Sequence, residues 1–259
     1  MPHNYIWWNI NGLSARAELV KQLIREHEPD FLGLGEVKVL KPAKVFGEVP
    51  AGYTAYWNPC LPRTKPDGTR RPAGHGTGVL VKTALKPKLI ATSLPYPPEE
   101  CKEGDLRTCK PEDLCPERSY EEWDAEHGHQ KEGRLIAVEV DSPSGVEGER
   151  VTLVLTYTPN IGDPQPKSSA KLSLPRLAYR VQAWDRCFAR FLSTITTPII
   201  WGGDLNVAPE ERDVYSVKNC KGKGSFTNEE RASFAGICGG LGLFSAFRAH
   251  LASTLKAHS

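Results

Sequence analysis

Four places along the chain put polar side chains at the ends of apolar strands, where an α/β sheet usually presents a ligand or a reacting group to its site. Asn9 and Asn11 follow Tyr5-Ile6-Trp7-Trp8, and Glu36 follows Phe31-Leu32-Gly33-Leu34-Gly35. Tyr157 through Asn160 close a run that begins at Val151, and Asp204 and Asn206 follow Ile199-Ile200-Trp201-Gly202-Gly203. Taken singly, most of these have a plainer reading. Asn11-Gly12 is a common turn, Glu36 is equally a solvated strand end, and Tyr157-Thr158-Pro159-Asn160 is equally a rigid turn with a stacked tyrosine. Gly203-Asp204-Leu205-Asn206 is more specific. An Asp after a wholly apolar strand with an Asn two residues on points Asp204 and Asn206 the same way, and Leu205 between them turns back to the core.

The elements that must position these residues form a β-α-β opening. Tyr5–Asn9 reads as a short buried strand, Ser14 as a helix N-cap with Glu18 in the first turns, and Leu19, Val20, Leu23 and Ile24 as a helical face that Pro29 ends. Strand-like runs recur at Thr54–Trp57, Thr77–Lys82, Arg134–Val140 and Val151–Tyr157. A helix is expected from about Leu174 to Leu192, a strand at Ile199–Asp204, and a last helix from Asn228 to Cys238. The second half thus echoes the first: strand, helix, then a strand ending in an acid. This order predicts mixed α/β layers with two sheets covered by helices. The aperiodic segment 94–131, rich in Pro, Glu, Lys and Cys, reads as a surface insertion.

Composition narrows the classes. With 39% hydrophobic and 25% charged residues, the 259-residue chain is an ordinary globular sequence rather than a disordered one. A net charge of +2 gives no whole-molecule field for a polyanion, so nucleic acid would have to meet local clusters. Arg63, Lys65, Arg70 and Arg71 form one such cluster, and Lys218, Lys221 and Lys223 another, although solvated loops are the plainer reading of both. Cys101, Cys109 and Cys115, with His127 and His129 downstream, lack the close cysteine pairs of a zinc site. Reduced thiols in an intracellular protein are the expectation. No apolar window is long enough to span a membrane, and neither a secretory nor a transit pattern opens the chain.

Order and spacing are more telling than any one piece. Trp8-Asn9-Ile10-Asn11-Gly12-Leu13 and Pro29 through Lys38 resemble the opening of the exonuclease III-like AP endonucleases, within the endonuclease/exonuclease/phosphatase superfamily. The resemblance continues through Gly76-Thr77-Gly78-Val79, Glu132-Gly133-Arg134, Tyr157-Thr158-Pro159-Asn160, Arg176 to Asp185, Gly202 to Ala208, and Gly224-Ser225-Phe226-Thr227-Asn228-Glu229-Glu230-Arg231. It implies an α/β fold of two mixed β-sheets packed face to face and flanked by helices, a four-layer sandwich forming one domain over 1–259. It further implies that Glu36 and Asn11 hold Mg2+, with Mn2+ as an alternative, and that Asp204, helped by Asn206, orients or deprotonates the attacking water. Asn9, Tyr157 and Asn160 would hold the scissile phosphate. The implied reaction is Mg2+-dependent phosphodiester hydrolysis of double-stranded DNA at abasic sites in base excision repair, with 3′→5′ exonuclease activity as a companion. Residence would be nuclear in a eukaryote.

The sequence also departs from the family. Members continue with a Trp-containing segment, an Arg-Leu-Asp-Tyr strand and a closing Ser-Asp-His. Here the match fades over Phe244–Arg248, so the domain is expected to be incomplete, with its C-terminal strands missing. Gly35 and Val37 stand where Gln and Thr usually flank the glutamate. Two other readings follow: a catalytically impaired or dead member that serves as a DNA- or protein-binding module, and a phosphodiesterase of the same superfamily acting on a non-DNA substrate.

Overall fold

The computed structural model describes residues 4–60, 62–64, 68, 70–72, 74–94, 133–142, 146–162, 177 and 179–257. The segment expected as an insertion lies outside these residues except for Leu94. So do Cys101, Cys109, Cys115, His127 and His129, and the side chains of Arg63, Lys65, Arg70 and Arg71. The chain divides into two units, Met1–Pro159 with Thr194–Asn206, and Asn160–Ser193 with Val207–Ser259.

In the first unit, β1 (Tyr5–Asn9) runs parallel to β2 (Phe31–Gly35), and the two are joined through α1 (Ala17–His27). β2 pairs antiparallel with β6 (Thr77–Lys82), which pairs antiparallel with β3 (Tyr53–Asn58). The second sheet repeats the scheme. β10 (Ile199–Asp204) lies parallel to β9 (Arg150–Tyr157), followed by antiparallel β8 (Leu135–Asp141) and β7 (Lys88–Ala91). A short hairpin, β4 (Pro62–Thr64) and β5 (Arg70–Pro72), stands apart from both sheets.

Alternation explains how the sheets pack. Phe31, Val79 and Val81 of the first sheet and Ile136, Val138, Val151, Leu153 and Leu155 of the second form one buried cluster between them. The intervening Leu32, Leu34 and Leu80 face the other way and bury Val20 and Ile24 of α1, together with Phe46 of α2 (Pro42–Phe46). β2 is therefore apolar on both faces, the pattern of a strand covered on each side. Trp7 packs tightly enough that a Cβ on Gly202 would fall 2.2 Å from its indole. The expected two-sheet α/β fold is the one adopted. No helix among the described residues is long and apolar enough to cross a membrane.

The helix start differs from expectation. Ser14 does not cap α1. It sits inside a 3-10 turn, Leu13–Ala15, and the helix begins after Arg16, whose N–H bonds Leu13 O at 3.0 Å. Burial of Leu13 sets that turn, and the capping preference of serine is overridden.

In the second unit, a π-helical turn (Tyr179–Trp184) runs into α3 (Asp185–Ser193), followed by α4 (Val217–Cys220), α5 (Asn228–Gly240) and α6 (Ala246–Ala257). Two segments that carry the family resemblance hold this unit together. Thr227 caps α5 in a reciprocal box with Glu230, whose carboxylate accepts from the Thr227 hydroxyl at 2.8 Å. Asp185 at the head of α3 accepts from Ser233 of α5 at 2.7 Å and pairs with buried Arg180 at 2.9 Å. Burial pushes the Asp185 carboxyl up, against the pull of Arg180 and Ser233. A buried acid of this kind persists because it is both paired and hydrogen-bonded.

Candidate functional site

Register brings four of the expected residues to one edge of the first unit. Parallel pairing sets Asn9 opposite Gly35, so Glu36 follows directly beside it, and sets Asp204 opposite Tyr157. Both parallel ladders end at this edge, and two side-chain bonds link them. Asn9 Nδ2 donates to Asp204 Oδ2 at 3.0 Å, and Tyr157 Oη donates to Glu36 Oε1 at 2.8 Å.

The backbone at this edge is bent into the left-handed region at three of the expected residues: Asn11 (φ 47), Glu36 (φ 53) and Asn206 (φ 45). Such geometry is uncommon outside glycine and concentrates at functional sites. It is held by long-range ties, with Gly12 N–H bonded to Glu36 O at 2.8 Å and Val37 N–H to Gly76 O at 2.9 Å. Asn206 corrects the strand-alternation argument. The strand ends at Asp204, and the chain turns so that the Asn206 N–H donates back to Asp204 Oδ1 at 3.2 Å. Its amide meanwhile donates to Thr158 O at 2.7 Å. Asn206 thus braces Asp204 through the main chain rather than standing parallel to it, and Leu205 is half-buried instead of turned fully into the core.

Asn160 belongs to the second unit, is exposed, and accepts from Gly162 N–H at 2.6 Å in a local turn.

Sequence reasoning missed three residues. Lys38 Nζ lies 2.6 Å from Glu36 Oε2 and 2.5 Å from Asn11 Oδ1. Buried Arg134 stacks its guanidinium on the Tyr157 ring at 5.0 Å, donates to Tyr157 O at 3.1 Å, and lies 2.9 Å from His75 Nδ1. Lys38 and Arg134 both stand within the matched motifs. Only Lys38 had a local signal, its place two residues after Glu36.

Charge states follow from these contacts. Burial pushes the Glu36 carboxyl up, but hydrogen bonds from Lys38, Asn9 and Tyr157, with the charge of Lys38, outweigh it and leave the group below its ordinary value. Burial, then the facing Glu36, push the Tyr157 phenol well above its ordinary value, so it is a neutral donor throughout the neutral range. The linkage signs are opposite. The contribution of Tyr157 to stability is whole below about pH 10 and is lost as pH climbs through the raised folded value. That of Glu36 is whole above about pH 4.5 and is lost as pH falls through the lowered one. The difference in melting temperature between wild type and Tyr157→Phe is therefore expected to be level from about pH 6 to 9 and to narrow above 10. A difference that holds constant to pH 11 would contradict the raised phenol.

The donors near Glu36 suit a cation. Among the described residues no three His, Cys, Asp or Glu side chains gather to hold a metal, so there is no closed protein cage. What exists is a carboxylate oxygen and an amide oxygen converging on one positive centre, the Lys38 ammonium. An open set of hard oxygen donors fits a magnesium-like ion that keeps most of its waters.

Two face-to-face mixed sheets, with acids and amides gathered where their parallel strand pairs end, define an α/β scaffold with a polar site at one strand edge. The sequence matches the endonuclease/exonuclease/phosphatase family across residues 6–253, and the chain belongs to that family. It is 30% identical over 233 residues to a DNA-(apurinic or apyrimidinic site) endonuclease of Dictyostelium discoideum, covering 89% of this chain and 49% of that protein. It is 26% identical over 251 residues to an exodeoxyribonuclease of Streptococcus pneumoniae, covering 90% of this chain and 72% of that one. The chain thus spans about half the length of the first relative. Among solved structures, the AP endonuclease LMAP from Leishmania major superposes with a TM-score of 0.63 at 24% identity, over 92% of this chain and 66% of that chain. The resemblance read from the sequence is borne out.

Proposed function

We propose that this chain is a magnesium-dependent DNA phosphodiesterase that incises duplex DNA 5′ to abasic sites, as a nuclear enzyme in a eukaryote. The observation that carries the proposal is the pair of bonds Asn9–Asp204 and Tyr157–Glu36, which draw a water-orienting carboxylate and a cation-binding carboxylate to one strand edge.

Asp204 is held on both oxygens, by the Asn9 amide and the Asn206 N–H, so its carboxylate presents a fixed acceptor to a water. It takes the proton as that water bonds to phosphorus and the bond from phosphorus to the 3′ oxygen of the preceding nucleotide breaks. The leaving oxygen gains a proton from solvent. This is general-base work by a positioned carboxylate. Asn9 and Tyr157 are the donors for phosphate oxygens, Tyr157 by turning its one O–H from Glu36 to the phosphate. Asn160 keeps the phosphate-contacting role that the resemblance gives it. A magnesium ion bound at Glu36 and Asn11 would supply positive charge to polarise a phosphoryl oxygen.

The test is incision of a duplex carrying one abasic site, with magnesium and with chelator. Magnesium-dependent cleavage 5′ to the lesion supports the proposal. A folded protein that binds the duplex and leaves it intact is instead the binding-module member of the family.

A further inference from the structure

Lys38 follows Glu36 by two residues, and both adopt left-handed backbone, with φ of 54 and 53. The Lys38 N–H is fixed to His75 O at 2.8 Å, so the bend is anchored. It carries the lysine side chain back over the strand end, where the ammonium meets Glu36 Oε2 at 2.6 Å and Asn11 Oδ1 at 2.5 Å. These are the same two oxygens that the proposed function gives to the metal. Two cations cannot share them, because their repulsion at a few ångströms is severe in a partly desolvated pocket.

We propose that Lys38 is an intramolecular competitor for the divalent ion: its ammonium holds the cation position between Glu36 and Asn11, and metal binds only by displacing it. This rests on the reading of Glu36 and Asn11 as the metal donors. The local charge agrees with it. Glu36 contributes one negative charge, Asn11 none, and Lys38 cancels the first, so these three residues together draw a divalent ion less than Glu36 and Asn11 would alone. Displacement is open to Lys38, because its side chain is 33% exposed against 17% for Glu36 and its stem can swing the head group into water. Metal affinity at this site is then governed by the strength of an internal ion pair as well as by its ligands.

The experiment is titration of Mn2+ into the metal-free protein, reading free ion by electron paramagnetic resonance, for wild type, Lys38→Met, Lys38→Arg and Glu36→Gln. Thermal melting of each variant verifies folding. Removal of the competing charge in Lys38→Met is expected to tighten Mn2+ binding by on the order of tenfold or more. Lys38→Arg, which keeps the charge, stays near wild type, and Glu36→Gln loses binding. If wild type binds Mn2+ and folded Lys38→Met binds it equally or more weakly, the competitor role is overturned while the metal site stands. If neither wild type nor Lys38→Met binds Mn2+, the metal-site reading falls and takes this inference with it.

Discussion

Asp204→Asn is expected to slow incision of an abasic duplex by about 10²–10⁴-fold, the range for a positioned acid–base group, while the duplex stays bound nearly as tightly. The Asp204 carboxylate meets the Glu36 half of the site through the Asn9 amide, which hydrogen-bonds both carboxylates. Glu36, Asn11 and Lys38 make their own cluster, whereas Asp204 is tied only to Asn9 and Asn206 in the bonds described. An amide at 204 keeps the shape and can still accept through its oxygen, but it cannot take a proton from water. Asp204→Ala is expected to lose as much rate and some stability as well, since the Asn9 amide and the Asn206 N–H would both lack their acceptor. Rates measured with saturating protein separate chemistry from binding. A folded Asp204→Asn that cleaves at the wild-type rate would remove Asp204 from the mechanism.

The largest effect on stability is expected one residue earlier. Gly203 has φ 129, a conformation nearly closed to residues with a side chain, and a Cβ built there would lie 2.0 Å from Thr156 O. That oxygen belongs to the backbone of β9, a strand paired on both sides, so it cannot rotate away as a side chain could. Gly203→Ala must either break the β9–β10 ladder or force both strands apart. A loss of about 3 kcal/mol or more is expected, at the upper end of single substitutions. Urea unfolding checks this, and a midpoint that places the variant within about 1 kcal/mol of wild type would show that the ladder yields more easily than its geometry indicates.

Much of this was legible in the sequence wherever one physical signal ruled. Thr77–Lys82 and Ile199–Asp204 were readable as strands because short runs rich in β-branched residues and bounded by Gly or Pro favour strand over helix. β7 was not, because Lys88–Ala91 is short, largely exposed at a sheet edge, and interrupted by a register shift between Leu89 and Ala91. The hairpin β4–β5 has too few residues to show a period. At the site, Glu36 and Asp204 announced themselves as acids after apolar strands. The bends at Glu36 and Asn206 did not, since nothing local favours a positive φ at a glutamate, and ties to Gly12, Gly76, Asp204 and Thr158 hold them. Lys38 was hidden for the same reason, because its ammonium reaches Asn11 only through that bend.

The bond between Asn9 and Asp204 joins positions 195 residues apart, whereas Asn11, Glu36 and Lys38 lie close together near the start of the chain. In time, the site is therefore built in two instalments. As the polypeptide emerges from a ribosome, the corner of Asn11, Glu36 and Lys38 can take shape once His75 and Gly76 are made to anchor it, well before Asp204 has been synthesised. Closing so long a loop is slow compared with forming local structure. The Asn9–Asp204 bond should therefore re-form after the return of secondary structure on refolding, and a half-made chain carries only one of the site's two carboxylates.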